Sequence, residues 1–159
     1  MSDTAPITYF HCAPITLAPG SIIQPGNWGR ILNHYETTNG QINLNAVNEG
    51  LLEWARRLLA PTKPSRLESV FTLPTLQDAI DFRNKHQRLS IIHEVIPTED
   101  DPTRHDGDYE LAVTPYRGRY VPQMLDFPDR YWTQPASANL EILFGCSVKV
   151  ISLPNVPSI

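Results

Sequence analysis

Five residues stand in settings where their side chains can do chemistry. His11 lies in Ile7-Thr8-Tyr9-Phe10-His11-Cys12, a β-branched and aromatic run. Its imidazole can donate to or accept from a ligand hydroxyl, or it can be an edge-strand histidine satisfied by backbone. Glu141 lies in Leu140-Glu141-Ile142-Leu143-Phe144, and solvation explains a carboxylate poorly on an otherwise apolar strand. Asn27-Trp28-Gly29-Arg30 closes a Gly/Pro-punctuated stretch. A guanidinium there can hold a pyrophosphate through forked, charge-assisted hydrogen bonds, with Trp28 as a lid or stacking partner. Equally, Arg30 can be a surface arginine above a tryptophan that plugs the core. Phe71, in Ser69-Val70-Phe71-Thr72, offers either an aromatic face or ordinary core packing.

Other constellations carry less. His93-Glu94 points to opposite faces of a strand, and His105-x-x-Asp108 sits in a turn without convergent partners, so no metal site is expected. Cys12 and Cys146 are the only cysteines, which fits a reduced compartment better than a disulfide framework. Arg117-Gly118-Arg119 with Tyr116, Tyr120, Tyr131 and Trp132 would suit RNA, single-stranded DNA, a protein target or no partner at all. The net charge of −4 gives no overall electrostatic footprint for nucleic acid, although a local basic groove is compatible with it. There is no Gly-rich phosphate loop and no G-x-S-x-G elbow.

The elements that must position these residues follow from pattern and punctuation. Residues 7–12 read as a strand ending at Ala13-Pro14, and Leu17 to Arg30 as a loop turned at Pro19-Gly20 and Pro25-Gly26. Leu44 to Ala60 is the best helix. Leu44, Val47, Leu51, Trp54, Ala55, Leu58 and Leu59 form one stripe, with Asn43 or Asn45 as cap and Pro61 as stop. That stripe is expected to bury Leu51, Trp54 and Leu58. Arg66 to Thr72 reads as a strand, Thr75 caps a helix reaching residue 86, and Leu89 to Ile96 reads as a strand closed by Pro97.

Residues 98–109 are acidic and turn-rich, Tyr109 to Val113 suggests an edge strand, and 114–138 reads as a functional loop or an arm over the sheet. Leu140 to Leu153 holds two β runs broken at Gly145. The order of elements predicts an α+β domain with a largely antiparallel sheet. At 159 residues the chain suits a single domain, 1–159, large enough to form a core without staples. No 18-residue apolar run and no signal-peptide pattern occurs, so a cytoplasmic protein without membrane contact is expected.

Several of these motifs fall in a recognisable order. Tyr9-Phe10-His11-Cys12 is followed by Leu17, Gly20, Ile23, Pro25 and Gly26 in the spacing L-x-x-G-x-x-I-x-P-G. Val70-Phe71-Thr72 then enters a helix through Thr75-Leu76-Gln77-Asp78-Ala79. Over residues 9–101 the chain resembles the ADP-ribosyltransferase superfamily of the His-Tyr-Glu type. It is most similar to the small rifampicin-modifying enzymes and a related uncharacterised bacterial family.

The resemblance implies two small, mainly antiparallel sheets with flanking helices. It implies NAD as co-substrate, with cleavage of the nicotinamide–ribose bond and transfer of ADP-ribose to a small molecule, a protein or a nucleic acid. His11 would fix ribose, Arg30 would hold phosphate, Trp28 would cover the ligand and Glu141 would stabilise the cationic ribose. Phe71 stands where the family has tyrosine, so it can stack but cannot hydrogen-bond. Glu99-Asp100-Asp101-Pro102 resembles an acidic run of the rifampicin enzymes, which makes Asp100 and Asp101 rivals to Glu141. The change at Phe71 also admits a non-catalytic nucleotide-binding or protein-interaction module on the same fold.

Overall fold

The computed structural model describes residues 6–34, 43–113 and 121–156. In chain order, β1 (Tyr9–Ala13) and β2 (Ile22–Ile23) precede the helices α1 (Asn27–Leu32) and α2 (Leu44–Leu59). A 3-10 turn, Arg66–Glu68, leads into β3 (Val70–Thr72) and α3 (Leu76–His86). Then come β4 (Ile91–Pro97), β5 (Arg104–Asp108), α4 (Tyr109–Val113), α5 (Val121–Thr133), β6 (Leu140–Phe144) and β7 (Val148–Ser152). The fold is α+β.

The strands form two antiparallel sheets, one in the order β1-β4-β7-β2 and one in the order β3-β6-β5. The sheets meet where Phe10 and Leu73 exchange both backbone hydrogen bonds, at 2.9 and 2.7 Å. This junction sets His11 on β1 close to Phe71 on β3. Tyr9, Val70, Val95, Ile142, Phe144, Val148 and Val150 fill the space between the sheets. Leu52, Ala55, Ala112, Tyr131, Trp132 and Leu143 form a second core beneath α2, α4 and α5.

Local chemistry explains the element boundaries. The Asn43 side chain accepts from the amides of Asn45 and Ala46 and opens α2. Thr75 Oγ1 accepts from the Asp78 amide at 3.1 Å and opens α3. Gly26 takes φ 87°, a left-handed turn that glycine adopts without strain, at the entrance to α1. Gly29 then packs so tightly on the 3-10 turn that a Cβ would run into the Leu67 carbonyl.

The structure corrects several expectations from the sequence. The stretch 17–30 holds β2 and most of α1, so Arg30 sits on a helix and not in a flexible turn. Arg66–Glu68 is a 3-10 turn, and only Val70–Thr72 is strand. Residues 104–108 pair as β5, whereas Tyr109–Val113 is helical. The Asp108 carboxylate accepts from the Glu110 amide at 2.9 Å and turns the chain there. Residues 121–133 are a helix, not a loop or arm. Tyr131 and Trp132 are fully buried core residues and offer nothing to a nucleic acid. Tyr116, Arg117, Gly118, Arg119 and Tyr120 lie outside the described residues.

The facing of α2 also differs from the expected one. Asn48, Glu49, Leu52 and Ala55 are buried, whereas Trp54 and Leu58 are each 65% exposed and Leu51 is half-buried. The buried stripe packs on α5, where Trp132 Nε1 donates to the Leu52 carbonyl at 2.7 Å. It also delivers Glu49 to a buried arginine. That demand outweighs the larger apolar area of the other stripe. Leu52→Ala is expected to cost about 2–5 kcal/mol. Trp54→Ala is expected to stay within about 0.5 kcal/mol of the parent. Urea unfolding of the two variants checks the facing, and the reverse order of losses would contradict it.

Candidate functional site

A cavity of about 810 Å³ opens beside the junction of the two sheets. Its volume lies within the range of about 300–1,000 Å³ common to small-molecule sites. His11, Trp28, Arg30, Phe71 and Glu141 all line it, together with Asn48, Glu49 and Arg66. Residues 130 positions apart in the chain thus share one wall, because β1, β3 and β6 converge there. Asp100 and Asp101 are exposed in the bend between β4 and β5 and are not among the residues lining the cavity.

His11 is held in one tautomer. Its Nδ1–H donates to the Phe71 carbonyl at 2.7 Å, so Nε2 carries the lone pair. Burial lowers its pKa, with the neighbouring His93 adding to the effect, and the ring stays neutral near pH 7. His93, opposite His11 across β1 and β4, is a structural residue. Its Nδ1–H donates to the Ile91 carbonyl at 3.1 Å and its Nε2 accepts from the Leu17 amide at 2.9 Å.

The floor of the cavity is a buried ionic cluster centred on Arg66, which is 4% exposed. Arg66 Nε lies 3.0 Å from Glu49 Oε2, and Nη2 lies 3.1 Å from Glu49 Oε1. Its Nη1 donates to the Tyr131 hydroxyl at 2.9 Å and to Glu141 Oε1. The Tyr131 hydroxyl donates in turn to Glu141 Oε1 at 2.7 Å. Trp28 Nε1 donates to Glu49 Oε1 at 3.0 Å, which ties α1 into the same cluster. The guanidinium also lies 4.8 Å from the centre of the Phe71 ring, within cation–π range.

The Glu141 carboxyl is pushed above the usual carboxylate range by burial, while Arg66 and Tyr131 oppose that shift. Both of its protein donors act on Oε1. Oε2 has no hydrogen-bond partner among the described residues. Arg30 is exposed at the mouth, where its Nη2 donates to Asn27 Oδ1 at 2.5 Å.

A second network aims Arg66. Glu53 on α2 accepts from Arg56, Arg57 and Ser65, the last at 2.8 Å, and Arg56 donates to the carbonyls of Pro61 and Lys63. These bonds hold residues 61–65 against α2, and Ser65 immediately precedes Arg66. The Glu53 carboxyl is lowered to about 2, chiefly by Arg56.

Sequence reasoning gave Arg66, Glu49 and Asn48 no role in a site, and it grouped Tyr131 with a basic and aromatic segment and not with Glu141. One signal for Glu49 was available, because Asn48, Glu49, Leu52 and Ala55 also follow a helical period. Among the described residues no group of three His, Cys, Asp or Glu side chains converges as a metal site would require. His105 instead donates to the Tyr131 carbonyl at 3.1 Å, and Asp108 starts α4. No described helix is long and apolar enough to cross a membrane. No protein-family model matches the chain, and no characterised protein matches it in sequence.

The cluster makes a prediction about stability. Removing Arg66 leaves Glu49 and Glu141 buried without a counter-charge, so Arg66→Ala should cost about 3–5 kcal/mol. Arg66→Lys should recover only part of this, because a single ammonium cannot reproduce the forked contacts to both acids. Denaturant unfolding measures both, and an unchanged midpoint for Arg66→Ala would contradict the cluster.

Proposed function

We propose that the protein binds NAD in this cavity, cleaves the nicotinamide–ribose bond and transfers ADP-ribose to an acceptor nucleophile. The reading rests on the resemblance drawn from the sequence. The observation that carries it is that His11, Phe71 and Glu141, on three different strands, line one cavity of dinucleotide scale with Arg30 at its mouth.

Each residue then has a role that follows from its geometry. A ribose hydroxyl donates to His11 Nε2, whose opposite nitrogen is already committed to the Phe71 carbonyl. Phe71 carries the Arg66 guanidinium against one face and offers the remaining face to the nicotinamide ring. Arg30 reaches the pyrophosphate from the mouth.

As the C–N glycosidic bond breaks, its electron pair leaves with the ring nitrogen and nicotinamide departs neutral. Positive charge moves onto the ribose, where Glu141 Oε2 stabilises it. A lone pair of the acceptor closes on the anomeric carbon, and the acceptor's proton passes to solvent. Glu49, Arg66 and Glu141 with both acids ionised sum to one negative charge, so Arg66 holds Glu141 in place without cancelling the field of the pair.

A second reading, a nucleotide-binding module without turnover, is favoured by two observations. Phe71 lacks the hydroxyl of the family's tyrosine, and Glu141 already has a cationic partner. Nicotinamide release separates the two readings.

Glu141→Gln is expected to slow release by about 10² or more, the scale on which one electrostatic stabiliser acts. NAD affinity should move much less, because the carboxylate works on the transition state. Since burial raises the Glu141 carboxyl, acid should protonate it and cut turnover at a pH above the ordinary carboxylate range. That acid limb should vanish in the variant. The measurement is initial-rate release against pH, with calorimetric NAD binding. A protein that binds NAD and releases no nicotinamide would contradict catalysis and support the module.

A further inference from the structure

The fold uses only one of the two apolar faces of α2. Asn48, Glu49, Leu52 and Ala55 turn to the core. Leu44, Val47, Leu51, Trp54 and Leu58 form the other stripe, at intervals of three, four, three and four residues. Leu44 is 56% exposed, Val47 37%, and Trp54 and Leu58 65% each. Apolar residues that keep strictly to alternating threes and fours make the narrow seam of a helix that pairs with a second helix.

Gly50 is an independent observation on the same face. It is exposed in the middle of α2, three residues after Val47 and four before Trp54. A Cβ added there would meet nothing within 4 Å outside the helix's own backbone, in contrast to Gly29 and Gly107. Packing within the chain therefore does not call for glycine, although glycine weakens a helix interior. What it leaves is a notch one turn from Trp54, the largest projection on the face.

Projection and notch make the face complementary to itself. In an antiparallel two-fold pair, one α2 lays this face on the same face of a second copy. With the axis level with Leu52, Trp54 of each copy lies over Gly50 of the other, since both positions are two residues from that level. Charge allows the arrangement. Arg57 is the only fully exposed charged residue of α2, and its Nε donates to Glu53 at 2.9 Å. The two copies of Arg57 would stand about 15 Å apart along the helices, beyond the Debye length at physiological salt. A single charge also gives a nucleic acid or a charged peptide little to hold.

The five side chains expose on the order of 500 Å² of apolar surface, near the largest patch that a monomer leaves open. A stable interface takes about 600 Å² or more from each partner, so the seam with its polar flanks reaches the lower end of that class. Independently of what the cavity binds, we propose that α2 is a homodimer interface, in which the stripe from Leu44 to Leu58 pairs antiparallel with that of a second copy and Trp54 seats in the notch at Gly50.

Sedimentation velocity of the full chain between about 1 and 200 µM tests the pairing, because association of this kind depends on protein concentration. The mass should rise from 18.0 kDa to twice that value. The dissociation constant should be about 1–100 µM, the affinity of a small interface. Below that concentration the chain is a monomer, in which Trp54 contributes little to stability. Trp54→Glu should stay monomeric throughout, with an unchanged far-UV spectrum. Gly50→Leu is the sharper variant, since it adds apolar surface and favours the helix. A face that is only apolar would then associate more tightly, whereas a filled notch should weaken the dimer about tenfold or more. The proposal is overturned if the unmodified chain remains monomeric at the highest concentration, if Trp54→Glu still dimerises, or if Gly50→Leu associates as tightly as the parent.

Discussion

The Arg66 guanidinium is the point on which three parts of the molecule depend. Glu49 brings α2 to it, Tyr131 brings α5 and Glu141 brings β6, while Trp28 extends the contact to α1 through Glu49. Each charged group loses several kcal/mol of hydration on burial, so the arrangement needs dense hydrogen bonding to be tolerable. The bonds from Arg66 to Glu49, Tyr131 and Glu141 supply it, and Glu141 Oε2 is left without a hydrogen-bond partner among the described residues. Tight packing enforces it. Gly29 lies against the Leu67 carbonyl and Gly107 lies under the Tyr131 ring, and neither position has room for a side chain.

A cluster of this kind is weak as a source of stability, since well-packed apolar residues of similar volume often serve as well. Its location is more informative. All three charged residues line the cavity, and Glu141, whose Oε2 has no hydrogen-bond partner among the described residues, is fixed by the same bonds. The sheet junction at Phe10 and Leu73 completes the wall by bringing His11 to the Phe71 carbonyl. Preorganised acceptors suit a reaction in which positive charge develops on a sugar, because no protein dipole need reorient as the bond breaks.

How much was legible in the sequence depends on how local each signal is. Thr75 and Asn43 cap their helices through contacts two to three residues away, and both could be read directly. Asp108 obeys a similar local rule and marks the helix that the apolar run from Tyr109 disguised as a strand. The face of α2 was not legible, because two stripes share its period and only tertiary demand chooses between them. Glu141 stood out as a charge on an apolar strand, yet its partner Arg66 is 75 residues away and no spacing rule joins them. Trp132 and Tyr131 looked like an exposed aromatic arm because a proline-containing helix hides its own period.

Every role proposed for the site requires that the cavity between β1, β3 and β6 receive the nicotinamide end of NAD. The most direct measurement is a crystal structure of the protein grown with NAD or a non-hydrolysable analogue. The predicted result has the nicotinamide riboside between His11 and Glu141, the ring against Phe71, and the pyrophosphate toward Arg30. A dinucleotide bound elsewhere, or bound in the cavity with its adenine end at Glu141, would contradict the account.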